Sequence, residues 1–176
     1  MTPVATVGVS IPVPAPWGPQ LQAARRDYGD PLAPYVPAHI TLLGPTEVDE
    51  VERPDFVAHL GAVAQSMPPF RVVLRGTGTF RPVSQVVFVQ VAEGISACER
   101  LEAAIRTSRP SEPLRFPYHP HVTVAHDVPE PELDRAFTEL ADFTCTFHVD
   151  AVRLYERRAD GLWCAAQDVG LGERGA

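Results

Sequence analysis

The chain has 176 residues, of which 45% are hydrophobic and 21% are charged, as in a folded globular domain. Its net charge is −7, so it lacks the basic excess with which proteins that track along duplex nucleic acid neutralise phosphates. No apolar stretch approaches the roughly 18 residues of a membrane span, and no basic region precedes the N-terminal apolar run. We therefore expect a cytoplasmic protein with neither a membrane nor duplex nucleic acid as its partner, and we expect a monomer.

Strands and helices alternate along the chain. The first part of the pattern predicts a strand over 4–11, a helix carrying Trp17, Leu21, Ala24 and Tyr28, a strand over 38–43, a helix carrying Phe56, Leu60, Val63, Ala64 and Met67, and strands over 70–80 and 85–92. The rest predicts a helix carrying Cys98, Leu101 and Ile105, a strand over 120–125, a helix carrying Leu133, Ala136, Phe137, Leu140 and Ala141, and a hairpin of 145–156 and 162–169 around Asp160-Gly161.

Each half of this pattern has a helix, a strand, a second helix and further strands in the same order. Such a repeat predicts an α+β fold with two lobes related by a pseudo-twofold axis, each an antiparallel sheet with helices, around a central cleft. No low-complexity linker separates the halves. We therefore predict a single bilobal domain over residues 1–176.

The same short motif lies on a predicted strand in each half, as His39-Ile40-Thr41 and as His121-Val122-Thr123. Side chains two residues apart on a strand share one face, so the imidazole and the hydroxyl of each motif point the same way, while the aliphatic residue between them points into the core. Two such strands related by a twofold axis would place two imidazoles on either side of one groove.

Two histidines and two hydroxyl groups around one groove suit phosphodiester chemistry. One imidazole can act as general base and the other as general acid, because the ordinary pKa of histidine lies near roughly 6.5. The hydroxyls of Thr41 and Thr123 can donate hydrogen bonds to the non-bridging oxygens of the phosphate. The chemistry of His39 and His121 in this scheme needs no metal and no organic cofactor.

Over Val4 to Leu171 the chain resembles the 2H phosphoesterase superfamily, which includes the RNA 2',3'-cyclic phosphodiesterases also called 2'-5' RNA ligases. The resemblance is carried by Ala38-His39-Ile40-Thr41-Leu42 and by Pro120-His121-Val122-Thr123-Val124-Ala125. It implies that the two histidines are catalytic and that the two threonines bind phosphate in a cleft between two lobes. It also implies a nucleotide, cyclic phosphate or RNA-end substrate.

The chain departs from the RNA-ligase branch of that family at two places. His126 stands where that branch often has an arginine, and Leu43-Gly44-Pro45 stands where Phe-Leu-Gly often follows the first motif. These departures indicate an outlying branch. Hydrolysis of a 2',3'-cyclic phosphate or a related phosphodiester is the function we predict, and RNA 2'-5' ligation and nucleotide binding without turnover are the alternatives.

Four further residues are candidates for substrate binding, and each has a plain structural alternative. Phe80 could stack on a base or cap the core, and His119 could lie at the rim of the cleft or in solvent. His126 should face away from His121 on a regular strand, which favours a surface position. Tyr155 could line the cleft or an outer sheet face.

Other polar residues near the second motif do not predict a further site. His119, His121 and His126 invite a metal, but no acidic pair completes a ligand set, so we predict none. The arginine pairs Arg25-Arg26 and Arg157-Arg158 are predicted to be exposed.

Overall fold

The computed structural model describes residues 4–108 and 114–173, which form eight strands and four helices. The strands are β1 (Val4–Pro12), β2 (His39–Asp49), β3 (Phe70–Thr79), β4 (Val86–Glu93), β5 (His121–His126), β6 (Thr144–Val149), β7 (Ala151–Arg157) and β8 (Trp163–Gly170). The helices are α1 (Trp17–Asp27), α2 (Arg53–Gln65), α3 (Ile95–Arg106) and α4 (Glu130–Glu139). None of these helices is both long and apolar enough to cross a membrane.

The strands form two antiparallel sheets of four, which confirms the predicted two-lobed α+β fold. The first sheet has the order β2-β1-β7-β8 and the second has the order β5-β4-β3-β6. The two strands that carry the His-x-Thr motifs, β2 and β5, occupy the same edge position in their sheets. The lobes do not coincide with the halves of the chain, because the first sheet takes its strands from both ends and the second takes its strands from the middle.

The helices cross between the lobes. Helix α1 follows a strand of the first sheet but contacts β5 of the second, and α3 follows a strand of the second sheet but contacts β2 of the first. Two side-chain bonds hold the resulting helix pairs together. The hydroxyl of Tyr28, which directly follows α1, donates to Glu139 on α4 at 3.0 Å. Nε2 of His59 on α2 donates to the carbonyl oxygen of Ala104 on α3 at 2.9 Å.

Strand alternation places each motif between the core and the open side of its sheet. Ile40 and Leu42 on β2, and Val122 and Val124 on β5, are almost fully buried. Burying each of these side chains stabilises the fold by about 1.5–3 kcal/mol, which fixes the register of the strand. The histidine and threonine of each motif must then face away from the core.

The predicted strand over 145–156 is wrong, because it is two strands in different sheets. Strand β6 pairs with β3, the chain turns at Asp150, and β7 pairs with β1 and β8. The buried positions are Cys145, Phe147 and Val149 before the turn and Val152 and Leu154 after it, so the alternation shifts by one residue there. Apart from this shift, the period of two continues on both sides of the turn. A change of sheet depends on distant partners, which that period does not reveal. The hairpin of β7 and β8 is confirmed.

Two helical glycines allow a matched test of the packing at the start of α1. A Cβ on Gly18 would lie 2.1 Å from the carbonyl oxygen of Val13, whereas a Cβ on Gly61 in α2 would meet nothing within 4 Å. We expect Gly18→Ala to lower the free energy of unfolding by about 1–3 kcal/mol or more, since backbone must move. Gly61→Ala should raise it by up to about 1 kcal/mol. Urea unfolding curves of both variants check this, and equal midpoints would contradict it.

Candidate active site

The site lies where the two edge strands meet. Strand β2 contacts β5, and the hydroxyl of Tyr118, just before β5, donates to the carbonyl oxygen of Thr41 at 2.7 Å. A cavity of about 380 Å³ opens beside this junction, lined by His39 and Thr41 from the first lobe and by Thr123 and His126 from the second. The two lobes therefore supply polar groups to one cleft, as a pair of facing motifs requires.

Both motif histidines are held in the same way by the backbone. Nδ1 of His39 lies 2.7 Å from the carbonyl oxygen of Pro37, and Nδ1 of His121 lies 2.7 Å from the carbonyl oxygen of His119. A carbonyl oxygen only accepts, so Nδ1 carries the proton in both rings. Each neutral ring therefore keeps a lone pair on Nε2, the nitrogen that can take up a proton.

The hydroxyl of Thr41 completes the first motif. Its Oγ1 lies 3.0 Å from Nε2 of His39, so it donates to the neutral ring and accepts from the protonated one. This bond fixes the imidazole beside the hydroxyl. A phosphate oxygen that binds Thr41 would therefore lie next to Nε2.

Burial lowers the pKa of both histidines. For His39, loss of hydration is the main cause, the bond to Pro37 opposes it, and the charge of Arg25 adds to it. For His121, loss of hydration is again the main cause, the bond to the carbonyl of His119 opposes it, and repulsion from His119 and His39 adds to it. The two motif rings are therefore close enough for the charge of one to affect the pKa of the other. Burial therefore favours the neutral form of both rings in the free protein.

His121 lies in an aromatic cluster beside the cavity and does not line the cavity itself. Its ring centroid is 5.0 Å from that of Phe80 and 5.1 Å from that of Phe88, and the ring of His119 stacks on it at 6.2 Å. Phe80 is half-buried and His119 is exposed, and neither of them lines the cavity. Gly78 leaves room for this cluster, because a Cβ there would lie 2.6 Å from the Phe88 ring.

His126 lies on the cleft side, which corrects the expectation that it faces away. The register of β5 against β4 shifts between Thr123 and Ala125, and Val124 and Ala125 are both buried. Two successive buried residues change the alternation by one position. His126 therefore faces the same cavity as Thr123.

Arg25 is buried, so the prediction that it is exposed is wrong. It is 4% exposed, it lines the cavity, and its Nε donates to Oδ2 of Asp30 at 2.7 Å. Arg25 lies four residues after the buried Leu21 on α1, and this helical spacing was the signal that could have shown its burial. Arg157 and Arg158 are exposed, as predicted.

Sequence reasoning also missed Ser10 and Trp163, which line the cavity with the predicted Tyr155. Ser10 is paired with Thr41 across β1 and β2, is 5% exposed, and its Oγ has no hydrogen-bond partner among the described residues. Tyr155 is buried on β7 and Trp163 begins β8. The cavity thus has a polar end near the motifs and an aromatic wall opposite. Within the described residues, no group of three histidine, cysteine or acidic side chains could hold a metal ion.

Comparisons with known proteins agree with this architecture. Residues 12–161 match the family described as the 2'-5' RNA ligase superfamily. A protein of Oceanobacillus iheyensis named "Putative phosphoesterase OB1230" is 26% identical over 155 residues, which cover 87% of this chain and 90% of that protein. The structure of TT0787 of Thermus thermophilus has a TM-score of 0.67 and 26% identity, covering 96% of this chain and 100% of that one. Escherichia coli LigT complexed with 3'-AMP has a TM-score of 0.70 and 20% identity, covering 96% and 99%.

The fold and these matches define the class, an enzyme of the 2H phosphoesterase type. More particularly, the chain belongs to the 2'-5' RNA ligase superfamily, whose model matches most of its length.

Breaking the buried pair of Arg25 and Asp30 should lower the free energy of unfolding more than breaking an exposed pair does. Asp30→Ala leaves a buried guanidinium unpaired, so we expect a loss of about 3–5 kcal/mol in the free energy of unfolding. Arg25→Met together with Asp30→Ala should recover much of that loss, because neither charge remains. Glu93→Ala, which breaks an exposed pair with Arg71, should cost about 1 kcal/mol or less. Chemical unfolding of the unchanged protein and the three variants checks this. Equal losses for Asp30→Ala and Glu93→Ala would contradict it.

Proposed function

We propose that the protein is a metal-independent phosphoesterase that opens a 2',3'-cyclic phosphate, or a related phosphodiester at a nucleotide or RNA end. His39 and His121 are its catalytic acid and base, and Thr41 and Thr123 bind the phosphate. The observation that carries the proposal is the matched pair of imidazoles, each with Nδ1 bonded to the carbonyl oxygen two residues earlier, which leaves the lone pair of the neutral ring on Nε2.

The reaction needs one proton removed and one supplied. A neutral imidazole takes a proton from water as the water oxygen bonds to phosphorus, and the other imidazole, protonated, gives its proton to the ribose oxygen as the phosphorus–oxygen bond breaks. The hydroxyls of Thr41 and Thr123 donate to the non-bridging oxygens, where negative charge grows in the transition state. Either histidine can serve as the base, since each neutral ring keeps a lone pair on Nε2.

Family membership supports the reaction class. Solved structures of LigT, which share this fold, are complexed with 3'-AMP and with ATP, so nucleotides are ligands of that protein. The half-polar, half-aromatic cavity of this chain suits a phosphate at one end and a base at the other. The predicted cytoplasmic location stays a prediction.

Hydrolysis of a panel of 2',3'-cyclic nucleotides in EDTA tests the proposal. His39→Ala and His121→Ala should each lower kcat/KM by about a hundredfold or more, because each removes one proton-transfer group. His148→Ala is the matched control, since His148 is exposed on β6 and lies outside the cavity. Full activity in either motif variant, or loss of activity in EDTA, would reject the mechanism.

The pH dependence of kcat/KM gives a second test. The acid must be protonated and the base neutral, and burial lowers both pKa values from the ordinary 6.5. Activity should therefore fall as pH rises, once the acid loses its proton, and fall again at lower pH, once the base gains one. We expect a bell-shaped profile with both limbs below about 6.5. A plateau that extends to pH 8 would contradict this assignment.

A further inference from the structure

A second pocket adjoins the aromatic end of the active-site cavity. It has a volume of about 730 Å³ and shares Leu32, Val36, Pro45 and Trp163 with the cavity as its common wall. Its far side is formed by Arg157 and Arg158 at the end of β7. We call it the arginine pocket. A ligand whose phosphate lies at the two motifs can therefore extend past Trp163 into it without leaving the surface.

The first sheet sets the distance between the two places. Ser10 is paired with Thr41 on β2, and Thr6 is paired with Arg157 on β7. Four residues along β1 span about 13 Å, and the two strand spacings from β2 to β7 add about 10 Å across the sheet, so the backbones of Thr41 and Arg157 are about 16 Å apart. Arg157 and Thr41 therefore lie on one sheet, at the two ends of a gap that one nucleoside and an arginine side chain can fill.

Trp163 forms the wall between them. Its ring lies over Gly8 of β1, where a Cβ would be only 3.3 Å from Cζ3. The indole thus lies across the sheet at the point where the cavity meets the arginine pocket. A half-buried indole in this position is a stacking surface that accepts any base.

The arginine pocket is positively charged although the chain is acidic. Among the described residues that line it, Arg157 and Arg158 face a single acidic residue, Asp160, which lies 3.5 Å from Arg158. The guanidinium of Arg157 lies 5.9 Å from the centre of the Trp163 ring, and Tyr35 adds an exposed phenol to the wall. Two guanidinium groups beside aromatic rings suit a phosphate attached to a stacked nucleoside.

We propose that the arginine pocket binds a second phosphate, carried on the 5' side of the nucleoside that stacks on Trp163. The inference rests on the proposed function and narrows its substrate class. The preferred substrate is then a cyclic phosphate on a nucleotide that carries a 5' phosphate, either as a free group or as the link to a preceding nucleotide. A nucleoside 2',3'-cyclic phosphate with a 5' hydroxyl leaves the pocket empty.

Kinetics with three substrates test this preference. Adenosine 2',3'-cyclic phosphate is compared with its 5'-phosphorylated form and with a dinucleotide that ends in the same cyclic phosphate. Both phosphate-bearing substrates should have a kcat/KM about tenfold higher. If only one of them does, the source of the phosphate is identified. If neither does, the proposal is overturned.

Arginine variants distinguish an effect of the arginine pocket on substrate preference from an effect of the protein's net charge. Arg157→Gln with Arg158→Gln should abolish the preference and leave activity on adenosine 2',3'-cyclic phosphate unchanged. Arg71→Gln with Arg100→Gln is the matched control, because it removes the same charge from exposed positions on the other lobe and on α3. The control should keep the preference. Persistence of the preference in the pocket variant, or its loss in the control, overturns the proposal.

Calorimetry tests phosphate binding in the arginine pocket without requiring turnover of a substrate. Adenosine 3',5'-bisphosphate should bind about tenfold more tightly than 3'-AMP, and the pocket variant should remove the difference. If no cyclic phosphate is turned over but this difference is found, the phosphate pocket stands and the proposed reaction falls. Equal affinities in the unchanged protein overturn the pocket, whether or not the cyclic phosphates are hydrolysed.

Discussion

The structure depends on one constraint, the placement of two motif strands as sheet edges that meet each other. Ile40 and Val122 must be buried, and this requirement alone turns His39 and His121 to the open side of their sheets. The bond from Tyr118 to the carbonyl of Thr41 then ties the two edges together. Edge strands usually need protection from pairing with other chains. Here each edge is covered by the opposite lobe, so the same contact that protects the edges forms the cleft.

The crossed helices explain why the lobes hold one geometry. Helix α1 leaves the first sheet, lies on the second and places Arg25 in the wall of the cavity. The bond from Tyr28 to Glu139 lies on the same side, and burial next to this carboxylate raises the pKa of Tyr28 to about 12. Moving the lobes apart would expose the pair of Arg25 and Asp30 and the apolar face of α1 together. The motif side chains of the two lobes are thus positioned by burial of the helices between them.

The features that could be predicted from the sequence are set by neighbouring residues, and most of those that could not are set by contacts with other parts of the fold. The His-x-Thr strands, the two lobes and the hairpin of β7 and β8 follow from local alternation and from the order of elements. The turn at Asp150, the burial of Arg25 and the orientation of His126 depend on partners elsewhere in the chain. A bulge in β5 reverses the face of His126, and an acidic partner five residues away allows Arg25 to be buried. The spacing of Arg25 after Leu21 on α1 could have indicated its burial. The bulge in β5 leaves no such mark in the sequence, so strand alternation could not reveal the orientation of His126.

The electrostatics of the cavity follow from the same burial. Arg25 is neutralised by Asp30, and burial lowers the pKa of both motif histidines, which favours their neutral form. The polar end of the free cavity therefore has little net charge. A phosphodiester anion that enters this site favours the protonated form of a nearby imidazole, which reverses the effect of burial. On the proposed reaction, the substrate itself thus raises the pKa of one ring enough to make it an acid. Binding of one anion is then coupled to uptake of one proton, and two histidines that both favour the neutral form become an acid and a base only when the site is occupied.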